Sequence, residues 1–322
     1  MSIRVERYSN EHEDEWDKFI ELKAKNATFL HSRRFYNHNE ANKSDDCSLL
    51  FYKNNSLIAL FPANLYNNKE HKILHSYLRA TYGGIVIGDI NTPDIISIVE
   101  LITQFANDER INEIIIRPCF SIYHTGLSDS VDYALWKCGY KIKSRELEYA
   151  IDLQFNPTDN YNDSTNRNIK KSIKQGVIVK EDENLSAYWK ILEDNLQGKH
   201  GTKPVHTYEE ICKLISLVNT GRIKLFTAQL NNQIIGGILT FLANKRVIHA
   251  QYIASDNTFQ EYRPLNAVID FIAKWAKEKG YIYFNLGMAT EPGGLELNEG
   301  LVRFKEGFGA KGVLRETMYL TL

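Results

Sequence analysis

The feature that most constrains this chain is that its two halves spell the same series of elements in the same order. Residues 3–8 alternate as a strand, and a helix succeeds them with Trp16, Phe19 and Ile20 on one face. In the second half, residues 177–181 are strand-like, and their helix carries Leu185, Tyr188, Trp189, Leu192 and Leu196 at helical spacing. A hairpin comes next in each half: residues 48–52 and 57–61 around Asn54-Asn55, and residues 223–230 and 233–239 around Asn231-Asn232. Asparagine tolerates positive φ, so an Asn-Asn pair predicts a tight two-residue turn. A third strand comes at 72–77 and at 247–252. Each half then has an amphipathic helix, Ile95 to Ala106 and Val268 to Ala276, and a closing apolar strand, 113–117 and 281–285. Repetition of that kind predicts two tandem units, each a mixed sheet with helices on both faces, an α/β class of fold. Residues 145–153 read as the closing strand of the first unit, and the polar, turn-rich stretch 156–164 as the boundary. The domains expected are therefore 1–155 and 156–322.

Composition narrows the function classes. Lys+Arg is 39 against Asp+Glu 40, a formal net charge of −1, which excludes a globally basic DNA binder. No apolar run is long enough to span a membrane, and the N-terminus has no apolar leader core. Cys47, Cys119, Cys138 and Cys212 are scattered without metal-like spacing, so they are expected as small buried hydrophobes in a reducing, cytoplasmic compartment, with no metal bound. Motifs for a nucleophilic serine, a P-loop, a zinc protease and a dinucleotide fold are all missing. Direct transfer to an attacking amine needs none of them.

Three segments of the second half carry a family resemblance. Residues 166–177 are rich in arginine and lysine and end in Gly176-Val177; residues 281–287 are an aromatic strand ending in Gly287; and residues 300–309 set Lys305 between Phe304 and Gly307. With the order of elements, these resemble the FemAB-like acyltransferases, relatives of the Fem aminoacyl ligases, built from two tandem GNAT-like (acyl-CoA N-acyltransferase-like) domains. The resemblance implies an N-acyltransferase or aminoacyltransferase. Such an enzyme has no tightly bound cofactor, uses acyl-CoA or an aminoacyl-tRNA as co-substrate, and has a small-molecule acceptor such as a nucleotide-linked sugar or a cell-envelope precursor. The sequence departs from that pattern in two places. No heptad run marks a coiled-coil arm, which disfavours tRNA. The glycine-rich pyrophosphate loop of acetyl-CoA enzymes is replaced by residues 260–266, with Arg263 among them, and by residues 89–94 in the first half, which disfavours CoA. An acyl thioester is the favoured donor. A GNAT-fold binding module without catalysis is the alternative of another class.

Several residues stand out as site candidates. Arg167, Lys170, Lys171 and Lys174 share one helical face, with no acid between Ser164 and Val179, and suit a phosphate-bearing substrate or a tRNA backbone. Lys305, on a short helix capped by Asn298 and Gly307, can stabilise the oxyanion of a tetrahedral intermediate or bind a donor phosphate. Lys199, His200, Lys203 and His206 lie on a stretch that reads as a loop, before the capping box Thr207–Glu210, and suit acceptor binding. His249 is the candidate base; strand alternation points it with Gln251 and sets Tyr252, a further substrate-binding candidate, on the opposite face. In the first half, Gly83-Gly84 permits close backbone approach, with Arg79 and Tyr82 placed to meet a substrate.

Overall fold

A computed structural model describes residues 2–38, 45–68, 71–218 and 221–322, apart from the side chains of 199 and 200. The chain divides into two compact units: residues 1–146, 292–295 and 314–322, and residues 147–291 and 296–313.

The first unit runs β1 (Arg4–Arg7), α1 (Glu13–Leu22), α2 (Arg33–Tyr36), β2 (Leu49–Lys53), β3 (Ser56–Phe61), β4 (Asn64–Asn68), β5 (His71–His75), β6 (Val86–Ile87), α3 (Thr92–Asp108), β7 (Glu113–Ile116) and α4 (Ser130–Lys137), and takes in the start of β8 (Lys141–Asp152). Strands β1-β2-β3-β6 form one sheet, and β5 pairs antiparallel with β4 and parallel with β7. Ile95, Ile98, Val99 and Ile102 of α3 are buried with Leu49, Phe51, Leu74 and Ile114 of the strands. The second unit continues with α5 (Asp163–Lys174), β9 (Ile178–Asp182), α6 (Leu185–His200), α7 (Tyr208–Val218), β10 (Ile223–Leu230), β11 (Gln233–Leu242), β12 (Val247–Ser255), α8 (Pro264–Glu278), β13 (Tyr283–Met288) and α9 (Glu299–Glu306). Its strands run in the order β9-β10-β11-β12-β13-β8, and Val268, Ile269 and Ile272 of α8 pack on Phe226, Ile238, Ile248 and Phe284. The last strand is β14 (Lys311–Thr321).

Several expectations hold at the level of single residues. Asn54, Asn55, Asn231 and Asn232 all have positive φ, between 50° and 65°, which suits the two-residue turn of each hairpin. Thr207 and Glu210 exchange hydrogen bonds, Thr207 N–H to Glu210 Oε2 at 2.8 Å and Glu210 N–H to Thr207 Oγ1 at 3.1 Å. The Asn298 side chain accepts from the Leu301 amide at 3.0 Å. Cys47 and Cys119 are buried, but Cys212 is exposed, on the outward side of α7.

The division of the chain differs from 1–155 and 156–322. From Leu147 onward β8 belongs to the second unit, where Asp152, Ile151 and Ala150 pair with Tyr283, Phe284 and Asn285. The expected closing strand of the first unit thus closes the second. The first is closed by β14, whose Met318, Tyr319 and Leu320 pair with Ile116, Ile115 and Ile114. The reason is that a closing strand needs an apolar neighbour edge, and either strand satisfies either edge by local pattern alone.

Helix α6 reaches the sheet through a glycine. A Cβ on Gly237 of β11 would lie 2.7 Å from the Phe226 carbonyl oxygen and 3.0 Å from the ring of Tyr188. Gly237→Ala should therefore cost about 1–3 kcal/mol by overpacking, read as a lower urea midpoint at unchanged slope.

Candidate active site

In the second unit β12 and β13 run parallel but pair at three positions only, Val247 with Tyr283, Ile248 with Phe284 and His249 with Asn285. Beyond His249, β12 stays with β11 while β13 stays with β8, so their carboxyl ends part. In β12 the register against β11 slips at that point: Tyr252 faces Leu239 and Ala250 faces Thr240, which leaves Gln251 as the extra residue of a bulge. A bulge residue is left out of the ladder, so its backbone polar groups are turned toward other partners. The bulge also re-aims the rest of the strand. Ile248 and Ala250 sit in the core with α8, whereas the Tyr252 ring packs edge-on against Trp189 of α6 at 5.5 Å. Tyr252 therefore faces away from Ala250, on the side of His249, and not opposite His249 as alternation predicts; the extra residue reverses the phase. The Gln251 side-chain oxygen is buried without a hydrogen-bond partner.

Lys305 stands at the parted end of β13. It is 2% exposed, and its ammonium donates to the carbonyls of Gly287 at 2.7 Å and Met288 at 2.6 Å. Burial pushes its pKa down to about 8, and the Glu148 carboxylate offsets part of that fall. Glu148, a residue sequence reasoning missed, is itself buried and accepts from the Asn285 amide at 2.7 Å. The Asn285 oxygen accepts from the Gly287 N–H at 2.8 Å, where φ is +76°. Glu148, Asn285 and Lys305 thus fix the turn of backbone that ends β13. An acid in a nominal strand directly ahead of a continuous apolar run was the available signal: Glu148 precedes Tyr149, Ala150 and Ile151.

The other candidates divide. His206 receives two contacts from β12: its backbone N–H donates to the Tyr252 hydroxyl at 3.1 Å, and its Nδ1 lies 2.7 Å from the same oxygen. This ties the segment after α6 to the site strand. That segment is shorter than expected, because α6 continues through Lys199 and His200 and ends at Gly201, whose φ of +62° stops the helix. The side chains of Lys199 and His200 lie outside the described residues; Lys203 is exposed. His249 is buried at the last rung before the strands part. Arg167, Lys170, Lys171 and Lys174 are all exposed on α5 and form no ion pair among the described residues. Arg263 is exposed and caps α8 with φ of +54°; its carbonyl accepts from the Asn266 and Ala267 amides. With Pro264 lacking an N–H, the start of α8 has few free donors for a pyrophosphate.

The two first-unit candidates are placed otherwise than expected. Tyr82 is 2% exposed, donates to Thr28 Oγ1 at 3.0 Å and packs on Phe120 and Tyr123, so it is part of the core of the first unit. Arg79 pairs with Asp45 at 3.3 Å on the surface. Gly84 does permit close approach, at φ +80°, but to the chain's own Pro118, whose Cα is 2.8 Å from where a Cβ would be. The parallel strands β5 and β7 do not part as β12 and β13 do. Ser76 N–H donates to Ile115, Arg117 N–H to Ser76 Oγ, and Gly83 N–H to Arg117, each within 2.9 Å. Among the described residues no cluster suits a metal ion, and no helix is long and apolar enough to cross a membrane.

Residues 161–305 match the acetyltransferase (GNAT) domain family. That match lies within the second unit, which has the fold of a GNAT-type domain. The whole chain shares its fold with tandem GNAT proteins. The solved structure of FemX is similar with a TM-score of 0.73 over 99% of this chain and 97% of that one, at 12% identity. The C-terminal domain of a putative lysylphosphatidylglycerol synthetase from Agrobacterium fabrum is similar at TM-score 0.61, over 97% and 92%, also at 12% identity. A tandem GNAT protein from the clavulanic acid biosynthesis pathway is similar at TM-score 0.52, over 99% and 98%, at 7% identity. No curated protein sequence matches the chain. The fold is thus that of the FemAB-like acyltransferases, in two GNAT-like units.

Proposed function

We propose that the GNAT unit transfers an acyl group from an acyl thioester to an amine of a small acceptor, a sugar nucleotide or cell-envelope precursor. The observation that carries this reading is the buried ammonium of Lys305 beside the parted ends of β12 and β13, with the bulge at Gln251 on the facing strand. The acceptor amine attacks the thioester carbonyl, and negative charge gathers on its oxygen. Lys305 stabilises that charge in a dry site, where a fixed cation acts most strongly. The amine proton passes to His249, and the intermediate collapses with release of the thiolate. His206, held on Tyr252, positions the acceptor together with Lys203. We place the reaction in the cytoplasm, in keeping with four free thiols.

A second reading is favoured by one feature, the glycine-free start of α8 with its amide hydrogens already accepted by Arg263. In that reading the donor is an aminoacyl ester on tRNA, and the four exposed cations of α5 meet its phosphates. Incubation with acyl-CoA or aminoacyl-tRNA and an amine acceptor separates the two. Thiol release that depends on acceptor supports the first reading. Loss of the aminoacyl ester to acceptor, weakened by charge-neutral substitutions at Lys170 and Lys174, supports the second. No turnover with either, together with ligand-induced stabilisation, would leave a binding module.

A further inference from the structure

Each of the two parted strands carries a bulge. On β13 the pairing with β8 passes from Asn285 opposite Ala150 to Met288 opposite Glu148, so β13 advances three residues while β8 advances two. Gly287, with φ of +76°, lies in that stretch. In a regular strand neighbouring carbonyls point in opposite directions and do not meet one donor. The bulge turns the carbonyls of Gly287 and Met288 together, and both accept from the Lys305 ammonium. Asn285 holds the bulge from inside: its side-chain oxygen accepts from the Gly287 N–H at 2.8 Å, and its amide donates to Glu148 Oε2 at 2.7 Å. An asparagine amide can be turned either way round, and a carboxylate, which only accepts, settles which way. Glu148 is 2% exposed and stands across from Met288.

A glutamine at 148 could accept the same hydrogen bond, so the bond does not call for a charge. The charge acts on Lys305: burial lowers the pKa of the lysine to about 8, and Glu148 opposes that fall. Other ionisable groups around them are placed differently. His249 is the ladder partner of Asn285, one strand away. Glu299, Arg303 and Glu306 of α9 are exposed; the first two pair with each other at 3.1 Å, and Glu306 acts on Tyr149. Glu146, two residues before Glu148, lies 3.4 Å from Arg315. We propose that Glu148 is a positioning residue of the transfer reaction, whose carboxylate supplies a counter-charge for Lys305 and, through Asn285, fixes the bulge that aims the ammonium. The inference rests on the role given to Lys305 under the proposed function. Glu148 acts through that lysine and not on the reacting atoms. Without the carboxylate the lysine loses its proton at a lower pH, and an uncharged amine is a poor stabiliser of an oxyanion.

The test follows Lys305 directly, in the full chain labelled with carbon-13 at the lysine Cε, its resonance assigned as the one missing from Lys305→Met. In Glu148→Gln that lysine should titrate at least about one unit lower than in the wild type. Glu148→Asp keeps the charge and should stay close to the wild type. The alkaline limb of kcat/KM for transfer from acyl-CoA to an amine acceptor should move down with the titration, which at pH 8 is a loss of about fivefold for a one-unit shift. Equal titration in wild type and Glu148→Gln overturns the proposal, and so does a shift in Glu148→Asp as large as that in Glu148→Gln. If Glu148→Gln alone does not fold, the substitution is made on Lys305→Met. There the buried carboxylate has lost its cation, so the double variant should have the higher urea midpoint; an equal or lower one overturns the proposal. Full transfer activity in Lys305→Met would remove the reading of Lys305 and this inference with it. Impaired transfer in Lys305→Met with an unmoved limb in Glu148→Gln would remove this inference alone.

Discussion

Replacing Lys305 by methionine is expected to lower the rate of acyl transfer by roughly two to three orders of magnitude, the scale seen when one preorganised stabiliser of an oxyanion is removed. Methionine keeps most of the buried stem, so the fold should survive. Two opposing terms act on stability. The carbonyls of Gly287 and Met288 lose a donor, which costs about 1–3 kcal/mol per group left dry. Against that, the wild-type ammonium sits in the core with its pKa lowered from 10.5 to about 8. The folded state therefore holds that proton less tightly than the unfolded chain. The resulting penalty, about 3 kcal/mol, is full below pH 8 and fades as pH rises toward 10.5. Stability relative to the methionine variant should accordingly increase with pH across that window. Activity should move the other way, falling above pH 8 as the cation is lost. A rate within threefold of wild type, or an alkaline limb unchanged by the substitution, would remove the lysine from the reaction.

Acid should destabilise the first unit. His31 is fully buried, its Nε2 on the Gly83 carbonyl at 3.0 Å, and burial lowers its pKa to about 4 despite the help of the Gly83 and Thr28 carbonyls. His75 is buried likewise; burial and then Arg117 lower it to about 4 as well, against the weaker pull of Ser76 and Glu113. Both are neutral in the fold while the unfolded chain takes up protons from its ordinary value of 6.5 downward. Stability is therefore fully present above pH 6.5 and is lost as pH falls to 4, by about 3 kcal/mol for each histidine across the window. Urea midpoints at pH 7 and pH 4.5, monitored by tryptophan fluorescence with Trp16 in the first unit, measure the loss. His31→Gln should flatten the dependence. Equal midpoints at the two pH values would show that the histidines are not buried neutral as described.

The features legible in the sequence were local ones. The Asn-Asn turns, the Thr207–Glu210 box and the Asn298 cap come from short-range pattern, Lys305 from a ten-residue motif, and the tandem GNAT fold from the repeated order of elements together with the family resemblance. The features that escaped have a common physical root in non-local pairing. One extra residue at Gln251 reverses the side that Tyr252 faces, and period-two alternation has no means of locating it. Glu148 reads as an ordinary strand acid until Asn285 and Lys305 are brought to it from far along the chain. Tyr82 looks available beside two glycines, but its ring is enclosed by His31, Phe120 and Tyr123. The run of α6 through His200 was masked by Gly198, which a helix tolerates at a cost of about 1 kcal/mol.

The exchange of closing strands sets an order of events during synthesis. Strand β14 leaves the ribosome only after every residue of the second unit has been made, and until then β7 keeps a bare edge of Ile114, Ile115 and Ile116. The N-terminal lobe, although translated first, is the last to be sealed. A nascent chain halted near its midpoint would present that isoleucine edge to any other strand in reach, and chaperone dependence should track the delay.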